Sequence, residues 1–236
     1  MILSLAQIEE IAAAALKDFW GNTDGSISAT PIDQFARDYL NLEVSFAELS
    51  EDGSVCGVTA YTDTKLKYTL KGIERVLPIK QNQVILDSSF VQPGQVQKLC
   101  GKRRFTLAHE CAHQILFAME PENIKASFRK RYRETRTYSL RELKNREDWN
   151  EWQANALAAA ILMPPETVGL ILYRLQCHSK LINYDGWFSY SDKMTLTMFC
   201  RWLGVSKSAA VIRIRQLGLL EDKPYSEYVD PLEVWA

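Results

Sequence analysis

The residues in this chain best suited to chemistry are His109-Glu110-Cys111-Ala112-His113, two histidines four apart with a glutamate directly after the first. The run around them is apolar or small at Phe105, Leu107, Ala108, Cys111, Ala112, Ile115 and Leu116, the pattern of a helix buried on most sides. Four residues of α-helix turn the chain by about 400° and raise it by about 6 Å, so both imidazoles share one face and can grip one metal ion. Glu110 neighbours both, and can hold the water that the metal activates and take its proton. Two imidazoles and a carboxylate in so apolar a helix are costly to bury without a partner, and a metal supplies one. The chain has three histidines, and two of them form this pair.

A catalytic zinc takes three protein ligands and keeps a fourth position open, so a second element must bring the third. His178, in Gln176-Cys177-His178-Ser179, is one candidate. Glu151 is the better one. It lies on an Ala-rich stretch, Trp149 to Met163, that reads as a helix stopped by Pro164-Pro165, and its small side chains permit close helix approach. Asn155, four residues on, shares the face of Glu151 and can hydrogen-bond a ligand histidine to fix its tautomer. For an oxyanion formed at such a site, His178, Tyr184 and Tyr190 are the candidate donors.

The elements that must hold these residues follow from periodicity. Residues 3 to 19 carry Leu5, Ile8, Ala12, Ala15, Leu16 and Phe19 at helical spacing. A second helix is expected from Pro31 to Leu40, with Thr30 as N-cap and Pro31 in the first turn. Residues 42–46, 55–61, 66–70, 75–79 and 83–87 read as short strands split by polar turns, a small and largely antiparallel sheet. The motif helix spans Lys98 to Ala118. Between 122 and 148 the composition shifts: Lys125, Arg129, Lys130, Arg131, Arg133, Arg136, Arg141, Lys144 and Arg146 crowd a segment poor in apolar residues. That reads first as a solvated face diluted by Glu134, Glu142, Glu147 and Asp148, and second as a partner-facing patch. A helix is expected from Glu166 to Gln176 and an aromatic loop from Asn183 to Asp192. Two helices, Thr195 to Leu203 and Lys207 to Leu217, then flank Gly204-Val205-Ser206 with helix-turn-helix spacing. The second offers Lys207, Arg213, Arg215 and Gln216, yet Val211, Ile212, Ile214 and Leu217 cover much of it with apolar surface, which favours packing over DNA reading.

With 236 residues, 47% hydrophobic and 24% charged, the chain supports a real core without staples. A net charge of −1 implies no global pull toward nucleic acid or membrane. Five scattered cysteines without a Cys-x-x-Cys pair read as a reducing compartment. The N-terminal stretch carries Glu9 and Glu10 and no early Lys or Arg, so it reads as an amphipathic helix and not as a signal peptide; no run approaches a membrane span. A cytoplasmic protein is expected.

Arg104-Phe105-Thr106-Leu107-Ala108-His109-Glu110-Cys111-Ala112-His113, followed by Glu151-Trp152-Gln153-Ala154-Asn155-Ala156-Leu157-Ala158-Ala159-Ala160-Ile161-Leu162-Met163-Pro164, resembles the paired motifs of the ImmA/IrrE family of metallo-endopeptidases. The resemblance extends weakly to both flanks. With the elements read above, the expected fold is α+β and zincin-like, with a peptidase domain over 1–190 and a helix-turn-helix-like subdomain over 191–236 packed on it. The resemblance implies His109, His113 and Glu151 as zinc ligands and Glu110 as general base. It further implies a protein substrate, typically a helix-turn-helix repressor, in mobile-element induction or stress response. Two departures stand out: the interval of about forty residues between the motifs is long and basic for such a protein, and Leu157 stands where an aromatic is usual. A DNA-binding regulator acting through residues 194–220, or a repressor-binding protein without proteolysis, are the rival readings.

Overall fold

Ser4 sets the start of the first helix, α1 (Leu5–Trp20). Its hydroxyl accepts from Gln7 N at 3.3 Å while Gln7 Oε1 accepts from Ser4 N at 2.9 Å, a reciprocal cap. The computed structural model describes residues 2–21, 28–131, 137–139, 148–176 and 180–229, with the side chains of all but 128–131, 137–139, 148–149 and 176. Two compact units divide the chain: Met1–Asn22 with Thr30–Leu162, and Thr23–Ala29 with Met163–Ala236. They part at Leu162 and Met163.

The first unit is α+β. After α1 comes α2 (Ile32–Gln34), which runs on into a π-helical turn, Phe35–Tyr39. Thr30 was expected to cap this helix, but Pro31 occupies the cap position and no side chain caps it. The buried Thr30 hydroxyl instead donates to Ile161 O at 2.7 Å. That carbonyl is one of the orphan acceptors at the end of a later helix, a partner that local sequence cannot reveal.

The strands form two small sheets. β1 (Glu43–Ala47) pairs parallel with β5 (Gln83–Asp87), and β2 (Gly57–Thr59) pairs antiparallel on the other side of β5. β5 is central, and its Val84, Ile85 and Leu86 are all buried, so it reads as a continuous apolar run without alternation. β3 (Thr64–Leu70) and β4 (Ile73–Ile79) form a hairpin through Lys71 and Gly72. Both turn residues have positive φ, 52° and 72°, as the tight turn that follows the strand twist requires. β6 (Thr137–Ser139) adds to β3 in parallel. The expected single, largely antiparallel sheet is therefore corrected to two mixed ones. The alternation within a strand reports which face is buried, not which way its neighbour runs. Leu49, Val58, Ala60, Leu66, Ile79 and Ile85 make the core between these strands.

Two helices complete what the site needs. α3 (Val96–Ala118) buries Leu107, Ala108, Cys111, Ala112, Leu116 and Phe117. α4 (Glu122–Arg131) follows it, and then α5 (Asp148–Leu162) packs across both α3 and α1. Ala154, Ala156, Ala158, Ala159 and Ala160 of α5 are buried, so the helix can lie close to its neighbours. Gln153, 1% exposed, accepts from Leu3 N at 2.6 Å and ties the start of α1 to α5. No single helix among the described residues is long and apolar enough to cross a membrane.

The second unit holds α6 (Pro165–Gln176), β7 (Leu181–Tyr184), α7 (Tyr190–Leu203), α8 (Lys207–Gln216) and β8 (Leu220–Lys223). The stretch expected to be a loop over 183–192 contains the end of β7 and the start of α7, where Ser189 Oγ accepts from Asp192 N at 3.1 Å. β7 pairs in parallel with β8, across 39 residues, a partnership no local pattern announces. Gly204 ends α7 with φ 62°, and Ser206 starts α8 by accepting from Ala209 N at 3.2 Å.

Candidate metal centre

Helical spacing puts His109 and His113 on the side of α3 that meets α5. Their Nε2 atoms face each other at 3.0 Å, with the ring planes 89° apart. α5 brings Glu151 to the same point: Oε2 lies 3.2 Å from His109 Nε2, and Oε1 lies 3.3 Å from His113 Nε2. Four residues along α5, Asn155 Oδ1 stands 3.0 Å from His109 Nδ1. A carbonyl oxygen only accepts, so Nδ1 carries the proton and the lone pair of His109 is left on Nε2, aimed at the centre. Nδ1 of His113 is buried with no hydrogen-bond partner among the described residues.

The donor set fits a metal ion. Bonds of about 2.0–2.1 Å in a tetrahedral site set ligand–ligand edges of about 3.3 Å, and the observed edges are 3.0, 3.2 and 3.3 Å. Burial pushes His113 below the usual histidine value, against the pull of Glu151, so it is neutral at pH 7. Two imidazoles and a carboxylate thus converge on one place, and a shared proton serves them poorly. A cation satisfies all three. Among the described residues, this is the one group of three His, Cys, Asp or Glu side chains so placed.

Glu110 is buried on the neighbouring ridge of α3, beside β2. Cys111, fully buried, has its thiol pushed far up by burial and is inert as a nucleophile. The structure therefore gathers His109, His113, Glu151 and Asn155 at one point, with Glu110 on the same helix. His178 and most of the basic interval, from 128 to 146, lie outside the residues whose side chains are described. Lys125 of that interval pairs with Glu122 at 3.2 Å. Tyr184 and Tyr190 belong to the second unit; the Tyr184 ring meets Tyr228 at 5.2 Å, and Tyr190 is exposed.

Sequence reasoning passed over three residues around Glu110. Thr106 and Gln114 lie one turn to either side of it on α3, and Gly57 lies opposite on β2. Only Gly57 left a signal, as a glycine inside a strand-like run, which marks a bulge or a close approach.

Residues 100–215 match the family described as Peptidase_M78, IrrE N-terminal-like domain. That span covers the pair of histidines, Glu110, Glu151 and Asn155. No curated protein matches the chain.

Proposed function

Through residues 100–215 the chain belongs to the ImmA/IrrE family of metallopeptidases, and from that premise we propose that it is a zinc-dependent endopeptidase cutting a specific cytoplasmic protein, a helix-turn-helix repressor. The observation that carries the reading is the convergence of His109 Nε2, His113 Nε2 and the Glu151 carboxylate, with Glu110 next in sequence to the first.

In this reading His109, His113 and Glu151 hold the zinc, whose contribution is Lewis acidity toward water and a peptide carbonyl. Asn155 keeps His109 in the tautomer that leaves Nε2 free to ligate. Glu110 takes a proton from the attacking water as its oxygen bonds to the scissile carbonyl carbon. It then returns that proton to the leaving nitrogen as the C–N bond breaks. The burial of Glu110 behind β2 keeps bulk water from competing for that proton.

The basic interval from Lys125 to Arg146 is the sequence feature suited to steer an acidic partner face. The test uses the zinc-loaded protein with purified helix-turn-helix repressors, beginning with any encoded beside it. Cleavage at one or a few bonds, abolished in Glu110→Gln, is expected. An intact repressor after prolonged incubation with zinc-loaded wild type, or wholesale digestion of casein, overturns the proposal.

A further inference from the structure

We infer that Gly57 is a positioning residue for Glu110: the absence of a side chain on β2 makes the space in which the proposed general base is held. The inference rests on the peptidase reading for its consequence, but its geometry stands on α3 and β2 alone.

α3 presents two adjacent ridges. His109 and His113 lie on one, turned to α5. Thr106, Glu110 and Gln114, each four residues from the next, lie on the other, turned to β2. A Cβ placed on Gly57 meets Thr106 Cγ2 at 2.7 Å, Glu110 Oε1 at 3.0 Å and Glu110 Cγ at 3.2 Å. The glutamate therefore lies along the strand backbone itself, in a place that any other residue type at 57 would fill. Nothing in the backbone demands the glycine, since its φ is outside the left-handed region. Space is the whole constraint.

The strand has little freedom to give way. Gly57, Val58 and Thr59 pair in register with Leu86, Ile85 and Val84 of the central strand. One turn beyond Glu110, Gln114 Nε2 donates to Thr59 Oγ1 at 2.6 Å and to Ala60 O at 3.1 Å, and Thr59 Oγ1 donates to Gln83 O at 3.0 Å. β2 is thus pinned to the sheet on one side and to α3 on the other, within three residues of Gly57. An added methyl must be absorbed by the side chains facing it, and once Thr106 is trimmed the one left is Glu110.

That sequence of contacts gives the test. Thr106→Ser removes the 2.7 Å contact and keeps the hydroxyl that donates to Lys102 O, so it serves as the background and keeps wild-type activity. In that background Gly57→Ala is expected to retain its zinc and lower kcat about 100-fold with little change in KM, because a base displaced by a fraction of an ångström no longer meets the water. The second readout needs no activity. Gly57→Ala in the Thr106→Ser background should lower Tm by about 2–10 °C, and adding Glu110→Ala should restore most of that loss, since it removes both remaining atoms. A Tm loss that persists without the Glu110 side chain overturns the inference, as does full kcat in the Gly57→Ala protein. If the wild type cleaves nothing, the peptidase reading fails, while the Tm cycle still decides whether Gly57 makes room for Glu110.

Discussion

In sequence, the α3–α5 pair of the first unit and the α7–α8 pair of the second are of one kind: apolar helices studded with a few polar groups. Their polar groups end differently. On α3 and α5, His109, His113 and Glu151 aim three electron pairs at one point. On α8 the cations are spoken for. Arg213, 1% exposed, donates from Nε to Met163 O at 3.0 Å. Arg215 grips Asp222 with two bonds of 2.9 Å, and Lys207 lies 5.3 Å from the centre of the Phe188 ring. Groups that pair with their own unit hold it together. Groups that converge at the spacing of metal ligands suit a cation from outside. The contrast supports metal chemistry in the first region and packing in the second.

The most direct way to break this contrast is to remove a converging group. His109→Ala, His113→Ala or Glu151→Ala should take the protein from about one zinc per chain to almost none, as metal analysis of dialysed protein will show. Full zinc in Glu151→Ala would mean that the third ligand is another residue, with His178 the first to try. Glu110→Gln should separate holding from acting: zinc stays, and the cleavage rate drops by about 10²–10⁴-fold. An active Glu110→Gln protein removes Glu110 from the mechanism. Asn155→Ala sharpens the picture further, because it frees the ring of His109 without removing a ligand. A competition titration with a chelator should show zinc affinity weaker by about 10–100-fold.

The second region is probed by the opposite expectation. Arg213→Ala strands Met163 O and should cost about 1–3 kcal/mol in a denaturant titration. Lys207→Ala with Arg215→Ala should leave the unfolding midpoint nearly unchanged, because both are surface interactions. In gel shifts all of these proteins, wild type included, should bind DNA negligibly; tight, salt-sensitive and sequence-selective binding by the wild type would reverse the assignment of α8. The smallest effect concerns Cys200 of α7, whose thiol burial raises to about 11. A raised thiol lends stability that is complete below the unfolded value, about 8.5, and is lost as pH climbs through about 11. Thermal melts should therefore lose less between pH 9 and 11 in Cys200→Ala than in wild type; an identical slope would show that the thiol ionises freely in the fold.

Much of the site was legible because its signals are local. The four-residue spacing of His109 and His113 is a property of one helix, and Glu151 with Asn155 is the same spacing on another. The helix bounds 96–118 and 148–162 lie within two residues of those read from apolar periodicity. β1 to β5 were legible too, as short runs split by polar turns.

What the sequence left open depends on residues far apart in the chain. It could not say that β1 and β5 run parallel, that Thr30 serves the end of α5, or that β7 waits for β8. Nor could it show Gln114 reaching back 55 residues to Thr59, or Gly57 clearing a place for Glu110. Helical phase is fixed by 3.6 residues per turn, so which side chains share a face is written in the sequence. Which other element that face meets is decided by long-range packing, and a one-residue motif like Gly57 carries no meaning until the carboxylate it accommodates is in view.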